Sequence, residues 1–171
     1  VTGGAGFIGA NFVRYWAETR DSSDTVVVVD ALTYAGNRAN LDDVPHEFVH
    51  ADIPDLPAME EAFRANPIDV VVNFAAESHN SFAILNPGIF MRTNALGTQV
   101  LCDAARTVGV ERFHHVSTCE VYGDLALDDP GAFAEDSPYR PRTPYNASKA
   151  AADHIVRAYH ETFDLPMTIT N

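Results

Sequence analysis

The sequence has little positive charge and almost no lysine. Its 171 residues contain 11 Lys and Arg against 24 Asp and Glu, so the net charge is −13, and Lys149 is the single lysine. Acidity of this size argues against a nucleic-acid or anionic-membrane partner, because both would bring further negative charge to the interface. Any anionic ligand would have to be bound by backbone dipoles and a few arginines.

Cysteine and long apolar runs are also scarce. The two cysteines, Cys102 and Cys119, form no CxxC pattern and have no spacing typical of metal ligands, so we predict neither a disulfide framework nor a metal site. A reducing, cytoplasmic environment is the simpler assumption. No apolar run approaches the roughly 20 residues that span a bilayer, and no signal-peptide pattern is present, so no membrane partner is expected.

What the chain does have is a regular alternation of strand-like and helix-like segments. The β-branched runs at 25–30 and 69–75 are typical of strands that a parallel sheet buries on both faces. Apolar residues at 7–19 and 86–108 recur at helical spacing. This alternation predicts an α/β fold with a doubly wound parallel sheet of the Rossmann type, which binds its ligands outside the carboxyl ends of the strands.

The same patterns give the expected limits of the helices and strands. We predict strands at 25–30, 47–51, 69–75, 112–117 and 166–170, and helices at 7–19, 56–65, 86–108 and 144–162. Val1 and Thr2 resemble the end of a first, central strand, and residues 123–142 are predicted to form a long loop rich in Pro and Asp. Because the chain opens without Met and closes directly after a strand, we expect residues 1–171 to be one domain truncated at both ends, without a C-terminal substrate domain.

Glycines at three-residue spacing follow the first strand. Gly3, Gly6 and Gly9 lie between a strand end and a helix start, where glycine permits a tight turn and the helix N-terminus offers free N–H groups to a pyrophosphate. Asp30 ends the next strand, where a carboxylate would bind the adenosine ribose hydroxyls and repel a 2′-phosphate. This pattern predicts an NAD site. Further predicted cofactor contacts are Phe7, Ile8, Thr33, Asp52, Ile53, Ala75 and Ala76.

Lys149 follows Tyr145 by four residues. Thr143 can cap a helix at this point and Pro144 suits its first position, so both side chains would lie on one helix face. An ammonium there would lower the pKa of the tyrosine and make its phenolate a usable base. The alternative is a surface helix that happens to carry one Lys and one Tyr.

Several motifs together resemble those of the extended short-chain dehydrogenase/reductase family. They are VTGGAGFIG (1–9), LTYAGN (32–37), AAESH (75–79), RTNALGT (92–98), EVYG (120–123) and the run 137–160. Within this family the chain is most similar to the dTDP-glucose 4,6-dehydratases, for which LTYAGN and AAESH are the more specific motifs.

The resemblance implies a three-stage reaction on a nucleotide-sugar substrate. Tyr145, polarised by Lys149 and hydrogen-bonded with Thr118, would take the proton of the sugar C4 hydroxyl as hydride passes to NAD. Glu120 would then remove the C5 proton, water would leave from C6, and the hydride would return to C6, giving a 4-keto-6-deoxy sugar. By the same resemblance, Ser78, Thr93, Tyr145 and Lys149 would contact the cofactor, and His79, Thr118 and Asn171 the substrate.

Two stretches depart from the family pattern. Cys119 stands where the family usually has the aspartic acid that protonates the leaving C6 hydroxyl. A thiol with a reference pKa of about 8.5 is mostly protonated at neutral pH, so Cys119 could donate this proton. Otherwise Glu120 would act as both base and acid, and Cys119 would be a small filler at the strand end. After His79 the chain reads Asn-Ser-Phe-Ala (80–83) in place of Val-Asp-Arg-Ser, so the substrate could differ from dTDP-glucose.

Two alternatives to a dehydratase remain open. A sugar-nucleotide epimerase or decarboxylase of the same family would share Tyr145, Lys149 and the oxidation at C4, but a 4-epimerase needs no base such as Glu120 at C5. A non-catalytic NAD-binding protein would keep the nucleotide site alone, with Cys119 as a remnant of lost chemistry. The resemblance further implies a homodimer for the full-length protein.

Overall fold

The computed structural model describes residues 1–20 and 23–171. Its strands are β1 (Val27–Asp30), β2 (Glu47–His50), β3 (Val70–Asn73), β4 (Arg112–Val116) and β5 (Met167–Thr170). Its α-helices are α1 (Phe7–Thr19), α2 (Leu56–Ala65), α3 (Asn80–Leu85), α4 (Pro87–Phe90), α5 (Thr98–Val108) and α6 (Pro144–Phe163). Every predicted strand is present, and helices α1 and α2 have the predicted bounds.

All strand pairs are parallel, and Thr2 joins them into one surface. β1 pairs with β2, and β4 lies between β3 and β5. Thr2 bridges Val29 of β1 and Asn73 of β3, so residues 1–2 take the central position that the sequence predicts. From this centre the chain runs out to β1 and β2 and then crosses back to β3. Such a reversal of strand order is where doubly wound sheets open a crevice for ligands.

The sheet has an apolar core on each face. Val28 and Val29 are neighbours in β1 and therefore point to opposite faces. Val28 packs in a cluster with Val13 of α1, whereas Val29 packs in a larger cluster with Leu101 of α5 and Phe113 of β4. The doubly wound, doubly covered sheet predicted from the sequence is confirmed.

The region 80–108 differs most from the sequence-based expectation. The short helix α3 was not predicted, because its six residues show no apolar stripe and leave Ile84 and Leu85 exposed. The helix predicted at 86–108 is divided into α4, a π-helical segment (Met91–Gly97) and α5. A Cβ atom at Gly97 would lie 2.6 Å from a side-chain carbon of Ile53, so the segment packs closely against the cleft floor.

The predicted loop at 123–142 contains no helix or strand. Among the helices that the structure describes, none combines the length and the apolar character that a bilayer crossing requires.

Candidate active site

A cleft of about 430 Å³ opens at the carboxyl ends of the strands. Each residue that the sequence predicts for the cofactor lines it: Gly3, Gly6, Phe7, Ile8, Gly9, Asp30, Thr33, Asp52, Ile53, Ala75, Ala76, Ser78, Thr93, Tyr145 and Lys149. The cleft also includes Arg92, the first residue of the RTNALGT motif, to which the sequence assigned no role and which forms an ion pair of 2.6 Å with Asp52. The cleft thus runs from the glycine turn to the start of α6.

The glycine turn leaves no room for side chains. Gly3 has a positive φ of 64°, and a Cβ atom there would lie 2.7 Å from the backbone nitrogen of Ala75. A Cβ atom on Gly9 would lie 2.2 Å from the carbonyl oxygen of Gly3. No side chain caps the first turn of α1, whose N-cap residue is Gly6. Its N–H groups therefore remain available to an anion, with the positive end of the helix dipole behind them.

Asp30 fastens the glycine turn to the end of β1. Its carboxylate accepts hydrogen bonds from the backbone N–H groups of Ala5, at 2.9 Å, and Leu32, at 2.8 Å. Each oxygen uses one lone pair in these bonds and keeps another for a ligand. A Cβ atom on Gly36 would lie 2.6 Å from one of these oxygens, so the glycine keeps the carboxylate accessible. The structure thus adds a structural role to the predicted ribose contact of Asp30.

Tyr145 and Lys149 lie in the first two turns of α6. Thr143 caps this helix by accepting a hydrogen bond of 3.1 Å from the Asn146 N–H, as predicted. Both side chains are buried, with exposed fractions of 9% for Tyr145 and 4% for Lys149. The Lys149 ammonium donates a 2.7 Å hydrogen bond to the carbonyl oxygen of Val116 at the end of β4. Burial lowers the pKa of Lys149 to about 8, although the charge of Asp153 acts to raise it.

The pKa of Tyr145 is raised rather than lowered, so the effect expected of Lys149 does not prevail here. The pKa of Tyr145 is raised, first by burial and then by the negative charge of Glu120, while the hydrogen bond with Thr118 acts in the opposite direction. The ammonium of Lys149 donates to the Val116 carbonyl, and the negative charge of Glu120 acts on the phenol. The spacing of the pair was predictable from the sequence, but the surroundings that determine the pKa of Tyr145 were not.

The predicted catalytic run 118–120 begins a short 3₁₀ turn next to Tyr145. Thr118 caps this turn by accepting a 3.3 Å hydrogen bond from the Glu120 N–H. A hydrogen bond with the same Thr118 hydroxyl acts to lower the pKa of Tyr145, whereas the negative charge of Glu120 acts to raise it. Cys119 is exposed at the surface. The structure therefore brings Thr118, Glu120 and Tyr145 together just beyond the end of the cleft.

The two remaining predicted substrate residues lie at the edge of this cluster. Asn171 follows β5, and its amide donates to the carbonyl oxygen of Thr118 at 3.4 Å. His79 is the N-cap residue of α3, makes no side-chain cap and is exposed. The next residue, Asn80, donates a 3.1 Å hydrogen bond to the Glu120 carboxylate. Asn80 carried no functional assignment in the sequence, because only its place in an unusual loop was visible there.

Asn94 is a further residue that the sequence did not reveal. It lies in the π-helical segment with an exposed fraction of 1%. Its amide exchanges hydrogen bonds with the backbone of Glu77, at 2.8 and 2.9 Å, and donates to Ser148 at 2.8 Å. Ser148 in turn donates to the Tyr145 carbonyl at 2.6 Å. An amide within an otherwise apolar helical stripe was the available signal, but the π-helical geometry that turns it inward could not be inferred.

A buried carboxylate lies one helical turn beyond Lys149. Asp153 accepts hydrogen bonds from Ser117, at 2.7 Å, and Tyr139, at 2.8 Å, and one of its oxygens lies 3.3 Å from Nε2 of His115. Burial acts to raise the pKa of Asp153, but His115, Ser117 and Tyr139 together lower it. Burial lowers the pKa of His115 to about 4. Asp153 is therefore a buried anion that stabilises the positive charge of Lys149.

Comparison with known proteins agrees with this geometry. The model of the NAD dependent epimerase/dehydratase family matches residues 1–171. The chain is 51% identical to the low-salt glycan biosynthesis protein Agl12 of Haloferax volcanii, over 99% of this chain and 54% of that protein. It is 46% identical to dTDP-glucose 4,6-dehydratase 1 of Escherichia coli, over 100% of this chain and 52% of that protein.

The fold comparison gives the same result. The crystal structure of DesIV, a dTDP-glucose 4,6-dehydratase from Streptomyces venezuelae solved with NAD bound, matches with a TM-score of 0.90 and 47% identity, over 98% of this chain and 53% of DesIV. The chain thus spans about half the length of the curated relatives it matches. Together the family match and these identities show that the chain belongs to the NAD dependent epimerase/dehydratase family, the extended short-chain dehydrogenases/reductases that its motifs predicted.

Proposed function

We propose that this chain is the cofactor-binding part of an NAD-dependent sugar-nucleotide 4,6-dehydratase of the dTDP-glucose type. The observation that carries the proposal is that the turn holding Thr118 and Glu120 packs against α6, whose Tyr145 lines the cleft. Tyr145 and Thr118 supply the hydroxyls expected of an oxidation at C4. Glu120 adds a carboxylate, which an elimination across C5 and C6 requires.

NAD fits the cleft on the chemistry of its lining. The glycine turn and the uncapped start of α1 would hold the pyrophosphate, and Asp30 the adenosine ribose. Asp52 and Ile53 would lie at the adenine, and Tyr145 and Lys149 at the opposite end of the cleft. The chemistry that this group supplies when bound is the acceptance and later return of a hydride.

The protein's own contribution to the first stage is a proton acceptor. With a raised pKa, Tyr145 is a protonated phenol at neutral pH before ligands bind. It becomes a base only when positive charge accumulates around it. Lys149 carries a positive charge at neutral pH, because its pKa is about 8, and it lies on the same face of α6. Thr118 assists, since its hydrogen bond acts to lower the pKa of Tyr145.

The second stage would depend on Glu120. Once C4 is a ketone, the C5 proton is acidic enough for a carboxylate to remove it. The departing C6 hydroxyl needs a proton, which either the exposed thiol of Cys119 or the newly protonated Glu120 could give. Both side chains lie in the same short turn beside Tyr145.

The test uses the whole protein, NAD and either dTDP-glucose or UDP-glucose. A dehydratase gives a 4-keto-6-deoxy product, identified by mass and by its absorbance in strong alkali. Glu120→Gln should still oxidise C4 but lose the elimination, with a fall of roughly 10² to 10⁴ in product formation. A 4-epimerized sugar without loss of water would establish the epimerase alternative. NAD binding without any turnover would establish the non-catalytic one.

A further inference from the structure

Asn80 connects two parts of the candidate site that are distant in sequence. It is the first residue of α3. Its amide oxygen accepts a 2.9 Å hydrogen bond from the Thr143 hydroxyl, and its amide nitrogen donates a 3.1 Å hydrogen bond to the Glu120 carboxylate. Thr143 is the residue that caps α6, two positions before Tyr145. One side chain therefore links the cap of the helix that carries the phenol to the neighbouring carboxylate.

The hydrogen-bond directions fix the orientation of this amide. The Thr143 oxygen already accepts from the Asn146 N–H at 3.1 Å, so its own hydrogen is free to be donated to Asn80. The carbonyl end of Asn80 must then face Thr143, and the NH₂ end must face Glu120. The opposite orientation would place the amide oxygen against a carboxylate oxygen.

The Glu120 carboxylate has little else to hold it. Within residues 1–20 and 23–171, the Asn80 amide supplies the one side-chain hydrogen bond to it. Its backbone belongs to a short 3₁₀ turn at the start of a long loop, and its side chain is half-buried. The turn that carries Glu120 packs against α6, the helix of Tyr145. Without Asn80 the side chain would be free to take other rotamers.

We propose that Asn80 is a positioning residue that holds Glu120 at the site of C5 deprotonation. Its two hydrogen bonds connect the carboxylate to the capped start of α6, so that the position of the base relative to Tyr145 is fixed. This inference rests on the proposed function, in which Glu120 removes the C5 proton. Asn80 itself needs no contact with the reacting atoms.

The test separates oxidation at C4 from deprotonation at C5. Asn80→Ala removes the hydrogen bond, and Asn80→Asp keeps the shape but sets a carboxylate against Glu120. Ser81→Ala, at the exposed next position of α3, is the matched control. In single turnovers of the whole protein, NADH formation reports the first step, and loss of deuterium from C5-labelled substrate reports the second. Thermal unfolding and NAD binding of each variant show that it is folded.

In Asn80→Ala we expect the C5 step to slow by roughly 10- to 100-fold, part of the roughly 10²- to 10⁴-fold effect of a general base, while NADH forms at nearly the wild-type rate. Asn80→Asp should be slower still, and Ser81→Ala should match the wild type. Equal losses in both steps, or no loss in either, would overturn the positioning role.

Failure of the proposed function would be visible separately, because the wild-type protein would then form no product that has lost the C5 label. In that event a crystal structure of Asn80→Ala still tests whether Asn80 positions Glu120. A Glu120 carboxylate that leaves its wild-type place supports the positioning role, and one that stays there refutes it.

Discussion

At the scale of single residues, burial changes what a side chain can do. Lys149 is an ordinary ammonium in sequence, but the fold encloses it and lowers its pKa from 10.5 to about 8. Its ammonium donates to the Val116 carbonyl, and Asp153 supplies the nearby negative charge. An arginine is larger, stays charged and needs more hydrogen-bond partners, so the same enclosure would suit it poorly.

The buried ammonium should make stability depend on pH. Between about pH 8 and pH 10.5 the unfolded chain keeps the Lys149 proton while the folded chain has lost it, so stability rises with pH across this window. Relative to Lys149→Met, the wild-type protein should gain roughly 2–4 kcal/mol of unfolding free energy from the bottom to the top of that window. Urea denaturation of both proteins at a series of pH values measures the difference. A constant difference would contradict the shifted pKa.

At the scale of elements, α6 carries the candidate chemistry and its start is the sensitive point. The Thr143 hydroxyl accepts from the Asn146 N–H and donates to Asn80, so one oxygen serves both the helix and the Glu120 contact. The cap was predictable from a Thr-Pro pair before the helix. The contact with Asn80 was not, because α3 shows no helical pattern and the two residues are 63 positions apart.

Replacing Thr143 should therefore weaken both stability and catalysis. Thr143→Ala should lower the unfolding free energy by about 1 kcal/mol through loss of the cap. It should also slow the C5 step selectively, because Asn80 loses its anchor. Thr143→Ser keeps the hydroxyl and should restore both properties, and Thr162→Ala, exposed near the other end of α6, should change neither. Chemical denaturation and the same single-turnover assay provide the measurements. A Thr143→Ala variant that is less stable but has an unaltered rate at C5 would show that the helix cap does not affect the position of Glu120.

At the scale of the whole molecule, a buried polar chain crosses the sheet beneath the cleft. The Thr2 hydroxyl donates to the Asn73 amide oxygen at 2.6 Å, and the Asn73 amide nitrogen lies 3.1 Å from Nδ1 of His115. Since the amide nitrogen donates, Nδ1 must be the acceptor, and the ring carries its proton on Nε2, which lies 3.3 Å from Asp153. The chain thus joins the first strand, β3, β4 and α6.

This chain of contacts should make the fold sensitive to acid. Folding lowers the pKa of His115 from 6.5 to about 4. Between pH 4 and pH 6.5, His115 is therefore protonated in the unfolded state but neutral in the folded state. Stability should then decrease as the pH falls from about 6.5 to about 4, and the His115 contribution should be roughly 2–4 kcal/mol. His115→Asn should show a shallower decline, whereas His154→Asn, at an exposed position of α6, should decline like the wild type. Equal slopes in all three proteins would show that His115 titrates normally.

The sequence by itself determined the features that depend on neighbouring residues. The glycine turn, the β-branched strands, the cap of α6 and the spacing of Tyr145 and Lys149 are local, because sterics and helical period act over a few residues. Only the tertiary structure decided that Asn80 contacts Glu120, that Asn94 binds Ser148 of α6, and that the charge of Glu120 acts on Tyr145. The Asn80 and Asn94 contacts join residues 40 and 54 positions apart, and a pKa depends on burial and charges that the folded chain alone brings together.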